Sequence, residues 1–270
     1  MSRRNDVPRQ ALVAGAVLGA LILLAVIAPI VSPYAVDALD LAHRRAAPSL
    51  VHWFGTDELG RDLLTRVLFG ARVSLAVGIV SAAVSVLLGV AIGATAGWTG
   101  RWTDAALMRV TDAMLAIPRL PLLMIAAAVL APNVAVLVLL VGAAGWMETA
   151  RVVRAEVQSI KSNDFVTAAR AVGAASPRVV LRHVLPGVLP TAAVATTLAV
   201  GRGILLESAL SFFGVGVQPP AASWGNMLYQ AQTTMTSEPW LGIFPGAFIF
   251  LTVFCCNVIG TRLTDDTARS

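Results

Sequence analysis

Histidines and cysteines are the residue types most able to do chemistry in this 270-residue chain, which has three of the former and two of the latter. His43, His52 and His183 belong to no HExxH sequence, and no GxSxG sequence supplies a serine nucleophile. Cys255 and Cys256 are adjacent within an apolar run, and no CxxC or Cys/His spacing of a zinc site is present. We therefore predict no catalytic residue, no metal site and no cofactor bound by this chain.

ATP hydrolysis is excluded on similar grounds. A phosphate-binding loop needs the pattern GxxxxGK[ST], in which a lysine follows a glycine. The single lysine of the chain, Lys161, follows Ile160. We expect that the chain is not an enzyme.

The composition indicates a membrane protein. The chain is 57% hydrophobic and 13% charged, with a mean hydropathy of +0.78, whereas a soluble domain carries about 25% charged residues. The net charge of +5 comes from 19 arginines and one lysine scattered between apolar segments. This scatter favours orientation of loops in a membrane and argues against nucleic-acid binding.

Apolar runs predict an all-α, polytopic fold with about six transmembrane helices. A spanning helix needs about 20 apolar residues, and a tight turn at Pro132-Asn133 divides one overlong stretch into two. The predicted helices cover residues 11 to 31, 73 to 97, 107 to 130, 134 to 150, 184 to 207 and 240 to 261.

The distribution of positive charge orients these helices. With both termini in the cytoplasm, thirteen basic residues lie on the cytoplasmic side and five on the other, as the positive-inside rule requires. Five acidic residues balance the outer arginines, which predicts a folded external segment. The division gives cytoplasmic tails at 1 to 10 and 263 to 270, an external segment at 32 to 72, and a core at 73 to 262 that contains a cytoplasmic loop at 151 to 183 and an external loop at 208 to 239.

Three ionisable residues fall within or near the predicted spans: Arg119, Arg202 and Glu207. Such residues line polar pathways or pair with one another. Structural pairing is the favoured role, and a substrate pathway is the alternative. A secondary transporter driven by an ion gradient also uses such residues, so this class of protein stays open as a second hypothesis.

The second span carries small residues at every fourth position. Ser81, Ser85, Gly89, Gly93 and Gly97 lie on one helix face, where small side chains let another backbone approach closely. We predict that Ser85 and the three glycines form a helix-packing face.

Residues 164 to 186, DFVTAARAVGAASPRVVLRHVLP, form a polar, basic stretch between apolar spans. Asn163 or Asp164 is suited to begin a short helix, and Gly173 to end it. Ser176-Pro177 is suited to begin another. Small side chains in the first helix permit close docking of a second protein, and the alternative is a hairpin lying on anionic lipid.

This stretch resembles a family signature. Ala168, Ala169, Gly173, Leu185 and Pro186 are similar to the EAA signature of permease subunits of bacterial ABC importers. The first glutamate of the signature is Thr167 here, and its usual isoleucine is His183. The stretches FGTDELGRDLLTRVLFGARVSL (54 to 75) and LSFFGVGVQPPAASWGNML (210 to 228) resemble the C-type permease of the dipeptide, oligopeptide and nickel importer group.

The resemblance implies a type I ABC importer permease fold in the bacterial cytoplasmic (inner) membrane. It implies that residues 151 to 183 are a coupling loop that docks on an ATPase subunit, with contacts at Phe165, Ala168, Ala169, Arg170, Gly173, Leu185 and Pro186. The implied partners are a B-type permease, one or two ABC ATPase subunits that bind the ATP and magnesium, an external substrate-binding protein and membrane lipid. Di- and oligopeptides are the expected cargo, and a nickel chelate is an alternative.

Overall fold

The computed structural model describes residues 9 to 130 and 133 to 267, with side chains to residue 264. The described part is helical and has no strand, apart from one isolated bridge between Thr56 and Asp62. The predicted all-α class is therefore confirmed. The helices are α1 (Arg9–Val31), α2 (Leu63–Thr99), α3 (Arg101–Ala116), α4 (Arg119–Leu130), α5 (Val134–Ala143), α6 (Trp146–Lys161), α7 (Asp164–Ala171), α8 (Ser176–Val179, continued by a π-helical turn Val180–Val184), α9 (Leu185–Phe212), α10 (Trp224–Ala231) and α11 (Trp240–Thr267).

Four to six segments of the described residues are able to cross a membrane. Helices α1, α2 and α11 and the continuous α8–α9 stretch are each long and apolar enough. The pairs α3–α4 and α5–α6 also qualify as broken spans, bent by 85° and 41°. The predicted number of about six is confirmed when each bent pair counts once.

The third predicted span, residues 107 to 130, is not one straight helix. Helix α3 ends before Ile117, which is extended at φ −84° and ψ 126°, and α4 begins after Pro118. Proline lacks an amide hydrogen and disfavours helical backbone in the residue before it. The third predicted span is therefore a broken helix, and the break explains the sharp bend.

Helix α2 is the central element, in contact with α1, α5, α6 and α9. Its small-residue face is buried against α5 and α6 of the same chain. A Cβ on Gly93 would overlap the carbonyl oxygen of Ala150 and lie 3.0 Å from Val153 Cβ. Gly89 and Gly97 approach the same helix equally closely, so the stripe is a close-packing face within the chain.

Several predicted loops are shorter in the structure, because helices extend into them. Residues 63 to 72 of the predicted external segment belong to α2. Asp62 is the N-cap of this helix, because its Oδ2 accepts a hydrogen bond from the Thr65 amide at 2.8 Å. Residues 151 to 161 of the predicted cytoplasmic loop belong to α6, and residues 208 to 212 of the external loop belong to α9. The charged residues that suggested loops lie on helices, where several are paired.

The segment between α1 and α2 is folded, as its balanced charges predict. Arg61 donates a hydrogen bond to Asp57 at 2.7 Å, and His52 pairs with Asp62 at 3.0 Å. The segment also contacts the start of α11, because the rings of Phe54 and Phe244 stack with their centroids 3.8 Å apart. Arg45 also pairs with Glu238 of the predicted external loop at 3.7 Å, so two segments predicted to be external meet at one end of the molecule.

The predicted cytoplasmic pieces meet at the other end. Arg154 of α6 binds Asp104 of α3, close to where α2 ends and α7 begins. Residues 1 to 8 and 268 to 270, which make up most of the predicted cytoplasmic tails, lie outside the described residues.

Candidate functional site

The predicted coupling loop contains two short helices with a defined bend. Helix α7 begins after Asn163, whose backbone is extended, and is followed by Gly173 at φ +86°. The Gly173 amide donates to the Arg170 carbonyl at 2.9 Å, and the Ala174 amide donates to the Ala169 carbonyl at 3.0 Å. This pair of bonds is a Schellman motif, so the predicted helix end at Gly173 is confirmed.

The inner face of the coupling loop is attached firmly to the rest of the chain. Val166 of α7 and Val179 of α8 are buried in a cluster with Val153 and Val157 of α6. Burying one such side chain contributes roughly 1.5 kcal/mol or more. The loop therefore moves with α6.

Trp98, near the end of α2, provides a second attachment. The Arg170 guanidinium lies 4.4 Å from the centroid of its ring, and the Lys161 amine lies 5.7 Å from it. Lys161 also donates a hydrogen bond to the Trp98 carbonyl. Arg170, which the resemblance assigns to a contact with another subunit, therefore links the loop to α2 through a cation–π contact.

The outer face of the loop exposes apolar groups. Phe165 is 48% exposed and Val172 is 89% exposed, and Ala168 and Pro186 are also exposed. The Phe165 ring lies 5.9 Å from the His183 ring. Together these residues form a surface with small and apolar side chains that suits a close protein contact.

Ala169 and Leu185 have a different position from the one predicted. Both are half-buried against the valine cluster of this chain, so their side chains support the loop from within. Of the two neighbouring alanines, Ala168 is the one that faces outward.

A second group of candidate residues meets at Glu148. The Arg119 guanidinium donates to Glu148 Oε1 at 2.8 Å, and Arg202 pairs with Glu148 Oε2. The three residues come from α4, α6 and α9. Arg119 and Arg202 line a small cavity beside α2 and α5, and Arg202 and Glu148 line a larger open one between α6 and α9. Two guanidinium groups share one carboxylate, so the cluster carries a surplus positive charge.

Glu207 joins neither arginine. It is fully buried, and its carboxylate accepts hydrogen bonds from Ser74 at 2.9 Å and Ser211 at 2.8 Å. The Ser74 hydroxyl also accepts from the Trp224 amide at 3.2 Å. The carboxylate thus ties α2, α9 and α10 together, and the partners of Glu207 are serine hydroxyls.

No pattern in the sequence indicates a role for Trp98 or Ser74. Trp98 is 72 positions from Arg170 and Ser74 is 133 from Glu207, and no local spacing connects such pairs. In the segment between α1 and α2, the side-chain hydrogen bond from His43 holds the pKa of Asp40 below its ordinary value.

The chain matches two protein families. Residues 89 to 267 match the family described as binding-protein-dependent transport system inner membrane component. Residues 9 to 48 match the N-terminal TM domain of oligopeptide transport permease C.

Curated relatives match nearly the whole chain. It is 41% identical to the oligopeptide transport system permease protein OppC of Escherichia coli (strain K12), covering 98% of this chain and 88% of that protein. It is 37% identical to the dipeptide transport system permease protein DppC of Bacillus subtilis (strain 168), and the match covers 91% of this chain and 77% of that protein. It is 41% identical to the glutathione transport system permease protein GsiD of Salmonella paratyphi A, and the match covers 94% of this chain and 84% of that protein.

Proposed function

The chain belongs to the family of binding-protein-dependent transport system inner membrane components, and we propose that it forms, with a second permease subunit, the translocation pathway of an importer for di- and oligopeptides. The observation that carries the proposal is the similarity to oligopeptide and dipeptide permeases over more than nine-tenths of the chain. The membership makes the chain a permease component of an ABC importer.

The proposed partners follow from this membership. They are a B-type permease, one or two ABC ATPase subunits and an external substrate-binding protein. ATP and magnesium bind at the ATPase subunits, and the isolated chain does not hydrolyse ATP.

The coupling loop offers a mechanical route from the ATPases to the pathway. Its outer face, with Ala168 and Phe165, docks on an ATPase subunit. Its inner face is attached to α6 through the valine cluster and to α2 through Trp98. Closure of the ATPases on ATP therefore moves α2 and α6 as rigid bodies and shifts the permease between inward-open and outward-open states.

Reconstitution tests the function. The chain, its partner permease, the ATPases and the binding protein are placed in proteoliposomes, and uptake of a labelled peptide mixture is measured. We expect uptake that needs ATP and persists when ionophores collapse the ion gradients. Uptake that follows an ion gradient without ATP would support the secondary-transporter hypothesis, and uptake of a nickel chelate but no peptide would support the other cargo.

The arginine–glutamate cluster is a candidate contact for the peptide carboxylate. The two positive charges of Arg119 and Arg202 exceed the single negative charge of Glu148 by one, and all three side chains are partly exposed. Away from bulk water, a surplus charge attracts an opposite charge more strongly than it does in solution. A free C-terminal carboxylate is the group that all unmodified peptides share.

The substitution Arg202→Gln tests this contact. It removes the surplus charge, and we expect the KM for peptides with a free C-terminus to rise about tenfold or more, since a hydrogen bond to a charged group contributes about 1.5–3 kcal/mol. The KM for the same peptides with an amidated C-terminus should change little. The matched control is Arg109→Gln, at an exposed position on α3.

An equal rise in KM for peptides with a free and with an amidated C-terminus would show that the cluster only holds α4, α6 and α9 together. The proposal of a peptide importer would survive that result, because it rests on uptake by the wild-type complex.

A further inference from the structure

Three residues of the external segment bring possible metal ligands together. One ligand atom from each of Asp40, His43 and His52 lies within 4.8 Å of the other two. The ring centroids of His43 and His52 are 6.1 Å apart. The spacing of these three residues along the chain matches no zinc-site pattern, so sequence patterns do not predict a metal site here.

His52 is arranged as metal-binding histidines usually are. Its Nδ1 faces Asp62 Oδ1 at 3.0 Å, and both side chains are buried. Because an ionised carboxylate can only accept, Nδ1 carries the proton, and Nε2 keeps its lone pair. A carboxylate behind a histidine fixes the ring and its tautomer in many metal sites.

The ring of His52 is held from two further sides. Asp62 also caps α2 by accepting from the Thr65 amide, so it is fixed independently of the histidine. The Tyr34 ring lies 4.9 Å from the His52 ring, and the Tyr34 hydroxyl donates to the Val51 carbonyl at 3.0 Å. The orientation of the imidazole is therefore set before any ligand binds.

The stretch that carries the other two residues is also anchored. The Thr56 hydroxyl donates to the His43 carbonyl. The Asp40 carboxylate accepts from the Ala42 amide at 3.2 Å, and the Asp40 carbonyl lies so close to Gly60 that a side chain there would overlap it. The backbone is thus fixed while the side chains of Asp40 and His43, 44% and 62% exposed, remain open to solvent.

We propose that Asp40, His43 and His52 bind one divalent transition-metal ion of the class that prefers nitrogen with oxygen, namely Zn²⁺, Ni²⁺ or Cu²⁺. Imidazole and carboxylate ligands bind such ions at about 2.0–2.2 Å, so the ligand atoms must shift from their present positions, in which Asp40 Oδ2 and His43 Nδ1 are hydrogen-bonded at 2.7 Å. The exposed side chains of Asp40 and His43 can make that adjustment by rotation. The ion would tie residues 40 to 43 to the segment that begins α2.

Metal titration of the purified full-length chain, prepared without a polyhistidine tag, tests the site. Zn²⁺ is titrated in competition with a chromogenic chelator. We expect one ion per chain, and a dissociation constant at least about tenfold higher for His43→Gln and for Asp40→Asn, because loss of even an outer-shell partner of a ligand lowers metal affinity about 10–100-fold. Mg²⁺, which prefers oxygen ligands alone, should not displace the Zn²⁺.

The matched control is His183→Gln, since His183 is the one histidine that lies outside the segment. It should bind Zn²⁺ as the wild type does. Thermal unfolding gives a second measurement, because an ion that binds only the folded state raises Tm. Zn²⁺ should raise the Tm of the wild type and of His183→Gln and leave that of His43→Gln unchanged.

Two results would overturn the proposal. One is a wild-type chain that binds none of Zn²⁺, Ni²⁺ and Cu²⁺ at one ion per chain. The other is a His43→Gln variant that binds Zn²⁺ as tightly as the wild type. Either would leave Asp40–His43 and Asp62–His52 as two separate structural pairs.

Discussion

Single residues of the coupling loop act in two distinct ways. Gly173 sets the backbone direction between α7 and α8, and a side chain at this position would meet no atom within 4 Å. Ala168 leaves the backbone unaffected and instead provides a small, exposed surface. Substitutions at the two positions therefore separate a backbone effect from a docking effect.

The substitution Gly173→Val should impair coupling through backbone strain. At φ +86° a β-branched residue is a steric outlier, and a left-handed conformation costs about 1–2 kcal/mol. We expect the variant to reach the membrane but to reorient α8 and lose most ATPase-driven uptake. Gly173→Asn is the matched control, since asparagine tolerates positive φ, and it should retain uptake. Full activity of Gly173→Val would show that the bend is not needed.

The substitution Ala168→Asp should weaken docking of the ATPase without unfolding the loop. The side chain is exposed here, so the charge is costly only when a partner covers it. We expect an unchanged Tm of the isolated chain and loss of ATPase co-purification, with Ala168→Ser as the control. Normal co-purification of Ala168→Asp would favour the lipid-anchored hairpin, and charge removal at Arg178 and Arg182 would then do more harm.

At this scale the sequence predicts what is local. The helix start after Asn163 and the helix end at Gly173 follow from residues a few positions apart. The sharing of Glu148 by Arg119 and Arg202 does not, because the partners are 29 and 54 positions away and only the packing of α4, α6 and α9 brings them together. The outward and inward positions of Ala168 and Ala169 likewise depend on where α6 lies.

Helix α2 decides the arrangement at the scale of elements. A spacing of four places its small residues on one face, and this face meets α5 and α6. In lipid there is little hydrophobic drive between helices, so close van der Waals contact has to hold them. The sequence therefore predicts the packing face but not which helix covers it.

The substitution Gly93→Leu should destabilise the subunit itself. Its Cβ would overlap the Ala150 carbonyl oxygen, and backbone atoms cannot move aside as a flexible side chain can. Overpacking typically costs about 1–3 kcal/mol, so we expect a lower Tm in detergent and reduced assembly with the partner permease. The control is Gly19→Leu in α1, where a Cβ would meet nothing within 4 Å. Equal Tm values for the two variants would contradict close packing at Gly93.

Helix boundaries were harder to predict than helices, for a physical reason. Charge-free runs mark where a helix lies in lipid, but α2 extends beyond its charge-free run and includes Arg66. This arginine is buried, and its Nε lies 3.5 Å from Asp57 Oδ2. Likewise α6 continues past Arg154, which pairs with Asp104. Both arginines have a carboxylate partner, and such pairing is invisible in a hydropathy profile.

The whole molecule has two polar ends joined by apolar helices. One end combines residues 32 to 62 with the segment around α10, linked by the contact of Arg45 with Glu238 at 3.7 Å. The other combines α3, the end of α6 and the coupling loop. Helices α1, α2 and α11 and the continuous α8–α9 stretch run between these ends, and the bent pairs α3–α4 and α5–α6 bring the number of spans to six when each counts as one. The prediction of which end faces the cytoplasm rests on the distribution of basic residues.

The orientation of the chain is open to a labelling test. Basic residues are concentrated at the end that holds the coupling loop, and this bias predicts that end to be cytoplasmic. Single cysteines at exposed positions, Ser49→Cys, Ser237→Cys and Ser162→Cys, are introduced into a chain whose buried Cys255 and Cys256 are replaced by alanine. In right-side-out vesicles an impermeant thiol reagent should label the first two and spare the third, and inside-out vesicles should give the reverse. Labelling of Ser162→Cys from outside would place the coupling loop on the wrong side to meet an ATPase, and both the orientation and the proposed docking would fail together.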